Sequence, residues 1–267
     1  MTKSYRILKR LTGPLTEADE TALEALYEQM RAGSAWKTTY RRRFAPLDDL
    51  IAAEVEARFA GGPISVHDVA ASSAITSLEL YRLLCASQQI TMRASDLYNE
   101  IKIVRVGPWE GVFDLEGRVL EVRGPFSKLI RRPVRALARK ALNAGRAESL
   151  SLFHPAARAL AEGDPHFQLA REDFFSPSPA RYEVVRVMNA LVEFNLPRDR
   201  IEAALIAIAP TVADGGLLVL GRNADEEDGR VQATIFAKDQ GAFSVVSELS
   251  DGYSMKDIVL ALARPYP

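Results

Sequence analysis

Ile64-Ser-Val-His-Asp-Val-Ala-Ala-Ser-Ser-Ala-Ile-Thr-Ser-Leu-Glu-Leu-Tyr81 decides the fold of this chain. A short apolar run ends on Asp68, the very small residues Ala70, Ala71, Ser72, Ser73 and Ala74 follow, and an amphipathic helical pattern opens directly after them. That is strand, close loop and helix, the layout of a ligand loop in a doubly wound α/β sheet, where ligands lie beyond the carboxyl ends of the strands. Small side chains let a ligand approach the backbone. None of them is glycine, so any loop position that requires positive φ is expected to be strained, with Cβ atoms crowding the ligand.

Outward from this stretch, strands and helices alternate, which predicts a largely parallel sheet flanked by helices. The strands are expected at 64–69, 90–94, 167–170, 182–188 and 217–220, with helices at 77–86 and 198–209. Gly215-Gly216 ends the second helix and feeds the fifth strand. Val231–Lys238 and Phe243–Leu249 flank Asp239-Gln-Gly241 and read as a closing antiparallel hairpin. Before the first strand the pattern is helical. Thr16, with Asp19 and Glu20, caps a helix carrying Leu23, Leu26, Tyr27 and Met30. A second helix starts near Pro46 and carries Leu50, Ile51, Val55 and Phe59, and Gly61-Gly62-Pro63 breaks the chain. Two domains are therefore expected, an N-terminal helical segment over 1–62 and an α/β domain over 63–267.

An insertion at about 100–145 interrupts the alternation. Ile101–Val106, Val112–Leu115 and Arg118–Val122 read as short strands, followed by a basic amphipathic helix over Phe126–Leu142 in which Pro133 opens the main turn.

The 267 residues are 48% hydrophobic, enough for one large core. Lys and Arg number 34 against 35 Asp and Glu, so no global charge points to nucleic acid, and nucleic acid is not expected as a partner. The single Cys85 excludes a disulfide framework and is expected to be a buried, inert thiol in a reducing compartment. The N-terminus lacks an apolar leader and no segment is long enough to span a bilayer, which predicts a cytoplasmic protein. His67, His154 and His166 lack metal-ligand spacing, so no metal site is expected. His67 reads as a satisfied polar group inside the first strand. His154 reads either as a helix-start residue or as a general base.

A cofactor carrying adenosine needs close backbone approach at the first strand, a carboxylate for ribose hydroxyls, and a polar group near the adenine. Asp96 ends the second strand, where a ribose carboxylate is expected. Asp173-Phe174 follows the third strand and offers an acceptor and an apolar face. Taken with Asp68-Val-Ala-Ala-Ser-Ser-Ala74, Ala94-Ser-Asp96, Glu172-Asp-Phe174, Tyr182-Glu-Val-Val-Arg-Val-Met-Asn189 and Asp214-Gly-Gly-Leu-Leu-Val219, these residues make the chain resemble the class I S-adenosylmethionine-dependent methyltransferases. The likeness is to the branch with chemotaxis-receptor-type loops, in which Asp-x-Ala-x-Ser stands for Asp-x-Gly-x-Gly, and it covers roughly 63–249 apart from the insertion.

The resemblance implies a Rossmann-like methyltransferase fold. That fold is a doubly wound, mostly parallel seven-stranded sheet with a C-terminal antiparallel hairpin, here with an N-terminal helical cap and a β-ribbon plus basic-helix insertion. It implies S-adenosylmethionine as cofactor, with Asp68, Ala70 and Ser72 at the methionine end, Asp96 at the ribose, and Asp173 and Phe174 at the adenine. The rim Val187–Asn189 faces the acceptor, with Met188 counted among the cofactor residues. Asn189 and Arg186 are the candidates for holding the acceptor, and His154 for a general base. Arg186 reads equally as an inward residue paired with Glu183 or Asp173.

Transfer from a sulfonium, already an activated donor, asks mainly for alignment of the acceptor. Two readings follow: a methyltransferase acting on a small-molecule or lipid-linked acceptor, or a non-catalytic scaffold whose loop has lost the cofactor. A nicotinamide dehydrogenase is disfavoured because Gly-x-Gly-x-x-Gly is absent. The link from Gly221 to Gly229 is too short for a helix. The helix 126–142 packs on its own domain, meets an anionic membrane surface in a peripheral attachment, or acts as a lid for an acidic substrate; control of acceptor access is the expectation. The charges of Trp36–Phe44 form a solvated face or touch an acidic substrate.

Overall fold

The computed structural model describes residues 7–8, 15–28, 31–32, 35–36, 39–59, 61–125, 131–223 and 230–262. In chain order its elements begin with α1 (Glu17–Glu28), α2 (Ala45–Arg58), β1 (Ile64–Val69), α3 (Ile75–Leu84) and β2 (Ile90–Ser95). Next come β3 (Glu100–Val106), β4 (Trp109–Phe113), β5 (Val119–Arg123), α4 (Arg131–Asn143), β6 (Glu148–Ser151) and α5 (Pro155–Gly163). The last are β7 (Phe167–Ala170), β8 (Tyr182–Met188), α6 (Arg198–Ile208), β9 (Val212–Asn223), β10 (Val231–Asp239), β11 (Ala242–Leu249) and α7 (Lys256–Ala261). Residues 31–32 and 35–36 form a further two-residue antiparallel pair.

The chain divides into two compact units, one of residues 1–39 with 98–159, the other of 40–97 with 160–267. This division departs from the expected boundary at 62. Helix α2 belongs with the large sheet, whereas α1 joins the insertion.

The larger unit is a seven-stranded sheet in the order β11-β10-β9-β8-β1-β2-β7. The chain builds outward from β1 through β2 to β7, then returns to place β8 and β9 on β1's other side, all five strands parallel. The reversal between β1 and β8 is the topological switch point of a doubly wound Rossmann-like fold, and the crevice there is its usual ligand site. Val184–Val185 and Leu217–Leu220 form unbroken apolar runs because these central strands are covered on both faces. Val69, Val185, Val187, Leu218 and Leu220 pack with Ile201, Leu205, Ile208, Ile258 and Val259 of α6 and α7.

β9 pairs antiparallel with β10 from Leu217↔Ala237 to Asn223↔Val231, so the link joins neighbouring strands; its residues 224–229 lie outside the described residues. The β10–β11 turn has positive φ at Gln240 and Gly241, the two-residue geometry that matches strand twist. In α2 the buried residues are Leu47, Asp48, Ile51 and Val55; Leu50 and Phe59, expected in the core, are only half-buried.

Cys85 corrects its expectation. It caps the C-terminal end of α3, one residue past the buried Leu84, and is exposed.

The smaller unit is a four-stranded antiparallel sheet in the order β5-β4-β3-β6. One face carries Ile101, Ile103, Val112, Leu150 and Leu152 against Leu23, Leu26 and Tyr27 of α1. The Thr16 hydroxyl and Asp19 carboxylate cap α1 as its sequence suggests; Met30 lies outside the described residues. The other face carries Val104 and Phe113 against Ala138 of α4. Gly111 permits that approach, since a Cβ there would lie 2.8 Å from the Ala138 Cβ. The second inserted strand runs from Trp109 to Phe113 and not to Leu115, while the start of the basic helix, 126–130, lies outside the described residues. Among the described residues, no helix is long and apolar enough to cross a membrane.

Candidate functional site

The loop after β1 takes left-handed backbone at every second residue: φ is 57° at Ala70, 56° at Ser72 and 60° at Ala74. These are the positions that suit glycine, and each non-glycine residue held there costs about 1–2 kcal/mol. The alternation Ala-x-Ser-x-Ala carries the signal; its third member, Ala74, is one of the small loop residues but has no cofactor role in the sequence reading. The loop is pinned from two strands. The Ala71 N–H donates to the Ser95 carbonyl at 2.9 Å, and the Ser72 N–H donates to Asp96 Oδ2 at 2.8 Å. Asp96 in turn donates its N–H to the Ala170 carbonyl, so its carboxylate sits beside the loop with the ends of β2 and β7. Ser72 and Asp96, both singled out from sequence, are thus in direct contact.

Asp68 and Arg186 are also brought together, with a different consequence. Arg186 Nε and Nη2 donate to Asp68 Oδ1 and Oδ2 at 2.9 and 2.6 Å, and Nη1 donates to Asp48 Oδ1 at 2.6 Å. Ser77 Oγ donates to Asp68 Oδ2 at 2.5 Å. Arg186 is fully buried. Burial alone would lower its pKa, but the two carboxylates overcome that and hold it above its ordinary value. Burial raises Asp48 from its ordinary value to about 7, against the pull of Arg186. The expectation that Arg186 holds an acceptor is therefore replaced. Its guanidinium is spent on carboxylates inside the protein, and neither Glu183 nor Asp173 is its partner. Asp48 was missed because nothing local marks a polar residue on the buried face of α2.

At the carboxyl ends of β8 and β9, Asn189 has φ 60° and forms a reciprocal pair with Asn223. Asn223 N–H donates to Asn189 Oδ1 at 2.8 Å, and Asn189 Nδ2 donates to Asn223 Oδ1 at 3.1 Å. Arg43 Nε donates to the same Asn223 oxygen at 2.9 Å, with its guanidinium 5.4 Å from the ring centres of Tyr40 and Phe44. Nearby, the Arg42 N–H and the Arg41 side chain meet Glu79 of α3. Of the run Trp36–Phe44, Arg43 is thus paired at the end of β9 and Arg41 and Arg42 meet α3, while 37–38 lie outside the described residues. Met188 is almost fully buried, and a Cβ on Gly221 would come within 2.9 Å of its methyl group.

After β7, Asp173 Oδ1 accepts the Phe175 N–H at 3.0 Å, and its carbonyl accepts the Ser176 N–H. Phe174 lies 4.7 Å from Phe175, and both rings pack with Ala70 against the sheet's core. Asp173 and Phe174 thus occupy a tight turn that follows β7. Beneath them, His67 Nε2 meets Ser95 Oγ at 2.8 Å, and burial lowers the imidazole to about 4, so it is neutral. His67 is half satisfied, because its Nδ1 has no partner among the described residues.

His154 belongs to the smaller unit, with its imidazole almost wholly buried. Nδ1 accepts the Ala156 N–H at 3.2 Å at the start of α5, which leaves Nε2 to donate to Glu20 at 3.1 Å. Both nitrogens serve structure, so the general-base assignment gives way to the helix-start role. Among the described residues, no group of His, Cys, Asp and Glu is arranged to hold a metal ion.

The strand order and the alternating left-handed loop define a doubly wound α/β protein with a tight, glycine-type loop beside its switch point. No protein-family model matches the chain, and no curated protein matches it. Solved structures similar to it include DesVI from Streptomyces venezuelae, at 13% identity over 91% of this chain and 87% of that one, with a TM-score of 0.39. The S-adenosylmethionine-bound amino pentose methyltransferase CalS10 from Micromonospora echinaspora is 14% identical over 82% and 81%, with a TM-score of 0.38. A putative S-adenosyl-L-methionine-dependent methyltransferase from Methanococcus maripaludis is 13% identical over 80% and 68%, also at 0.38.

Proposed function

We propose that this chain is an S-adenosylmethionine-dependent methyltransferase acting on a small-molecule or lipid-linked acceptor. One observation carries the reading. Ala70, Ser72 and Ala74 keep a glycine-type backbone without glycine, and the loop is fastened to Asp96. Strained backbone of this kind persists where the surroundings over-determine it, and it clusters at ligand sites.

In this reading Asp96 receives the ribose hydroxyls, while Asp173 and Phe174 border the adenine. The Asn189–Asn223 pair stands at the acceptor edge. The cofactor supplies an activated methyl group on a sulfonium. The chain's own part is to align an acceptor and exclude water. Asp68, held by Arg186 and Ser77, acts by fixing the end of β1 under the loop.

The same network favours a second reading, a binding or scaffold protein that keeps the fold without the cofactor. Both Asp68 oxygens are already engaged, and methyl and hydroxymethyl groups line the loop. Calorimetry with S-adenosylhomocysteine separates the two. The methyltransferase reading expects micromolar binding that Asp96→Ala weakens by about 1.5–3 kcal/mol, a factor of roughly ten to more than a hundred. Asp96→Asn, which keeps the side chain's shape, is expected to weaken binding with an unchanged melting temperature. No heat of binding to the unaltered chain would establish the scaffold reading.

A further inference from the structure

We infer that the outer face of α4 docks on the phosphate backbone of a nucleic-acid duplex. The whole chain is nearly neutral, but its two units are not. Residues 1–39 with 98–159 hold 18 Lys and Arg against 11 Asp and Glu, a net charge of +7, so the rest of the chain carries −8. Charge asymmetry of this size between parts of one chain is a mark of polyanion binding, which total charge conceals.

The excess is concentrated on one helix face. From Arg131 to Ala147 the sequence contains no acidic residue. At 100° per residue, Arg132, Arg135, Arg139 and Lys140 fall on the side of α4 opposite Val134, Ala138 and Ala141. The first four are exposed, whereas Val134 and Ala138 are buried on the sheet. The acids of the inserted strands are already engaged: Glu100 by Lys102, Glu110 by Arg105 and Arg123, Glu116 by Arg118, and Glu121 by Arg123. Glu148 pairs with Arg105, and Asp114 accepts the Arg118 N–H. None of the four helix cations makes an ion pair among the described residues, and Arg139 touches only the Gly117 carbonyl.

The packing selects the partner. A helix that lies in a membrane interface buries an apolar face among the lipid headgroups. The apolar face of α4 over Val134–Leu142 is used within its own unit, and among the described residues of the helix Leu137 is the one large apolar side chain left exposed, at the flank. What faces solvent is a stripe of fixed cations, three of them guanidinium forks that match phosphate oxygens in pairs.

The test is fluorescence anisotropy of a fluorescein-labelled DNA duplex of about 20 bp, titrated with the full chain between about 25 and 150 mM salt. Four phosphate contacts predict that log affinity falls with log salt at a slope of roughly −3 to −4. Neutralising the face (Arg132→Gln, Arg135→Gln, Arg139→Gln and Lys140→Gln together) is expected to lower affinity at least about tenfold near 50 mM salt and to flatten that slope. A control variant with Arg58→Gln, Arg82→Gln, Arg171→Gln and Arg181→Gln should retain both, with melting temperatures recorded for each protein. No binding at low salt, an unchanged slope in the α4 variant, or an equal loss in the control overturns the inference. So does capture by phosphatidylserine-containing vesicles while the duplex stays unbound.

Discussion

Arg186 grips Asp68 with two parallel hydrogen bonds and reaches Asp48 with a third, all three side chains withdrawn from water. The cluster ties α2 to β1 and β8 directly beneath the switch point. Arg186→Met should leave two buried carboxylates without their counter-ion and destabilise the fold by about 3–5 kcal/mol. Urea unfolding followed by circular dichroism measures this, and a midpoint within error of the parent would refute it.

Asp48 and His67 give opposite dependences on pH. Because burial raises Asp48 to about 7 from its ordinary 3.8, the folded protein holds a proton there that the unfolded chain releases. That contribution is present at low pH and is lost as pH climbs towards 7. Burial lowers His67 from 6.5 to about 4, so its contribution is lost as pH falls through the same interval. The two oppose each other in the parent. Asp48→Asn should expose the His67 trend, with stability falling relative to the parent by up to about 1.4 kcal/mol per unit between pH 6.5 and 4.5. Parallel urea midpoints for the two proteins across that range would refute it.

Restoring glycine to the loop should be stabilising. Ala70→Gly and Ala74→Gly each relieve left-handed strain and give back part of it as chain entropy, for a net gain of about 0.5–1 kcal/mol and roughly 2 °C in Tm. Ala53→Gly, on the exposed side of α2, should lose about 1 kcal/mol. If all three changes lower Tm alike, Ala70 and Ala74 are not strained.

The exposed Cys85 should take up one equivalent of maleimide in the folded protein. Partial burial raises its thiol above the ordinary value, so labelling should speed up steadily as pH rises. Labelling that requires denaturant would contradict its placement at the end of α3.

The strands β1 and β8 were legible in the sequence because burial on both faces demands continuous apolar runs, and the edge strand β7 because Phe167 and Leu169 alternate with polar or small residues. β1, β7 and β8 begin and end where Ile64–Val69, Phe167–Ala170 and Tyr182–Met188 suggest. β6 was not, since Glu148-Ser-Leu-Ser151 points only Leu150 into a core and shows no alternation long enough to read. α5 and α7 are too short for a helical period to declare itself. At the crevice, Asp68, Ala70, Ser72 and Asp96 could be chosen because strand ends and small residues are local signals. The partners of Arg186 could not, because Asp48 lies 138 positions away and the contact exists only once α2 has folded over β8. Cys85 was misjudged for a related reason. An apolar pattern does not reveal the residue at which its helix stops.

Because α1 and the β3–β6 sheet close on one another across an intervening length of chain, the smaller unit cannot form in the order in which it is synthesised. The nascent α1 leaves the ribosome long before Ile101, Ile103 and Leu152 exist to receive it, and β1 and β2 emerge in between. Translation must therefore pass Ala159 before either half of that unit is shielded. A protein started at Tyr40 would present the bare side of the inserted sheet to chaperones and to other copies of itself.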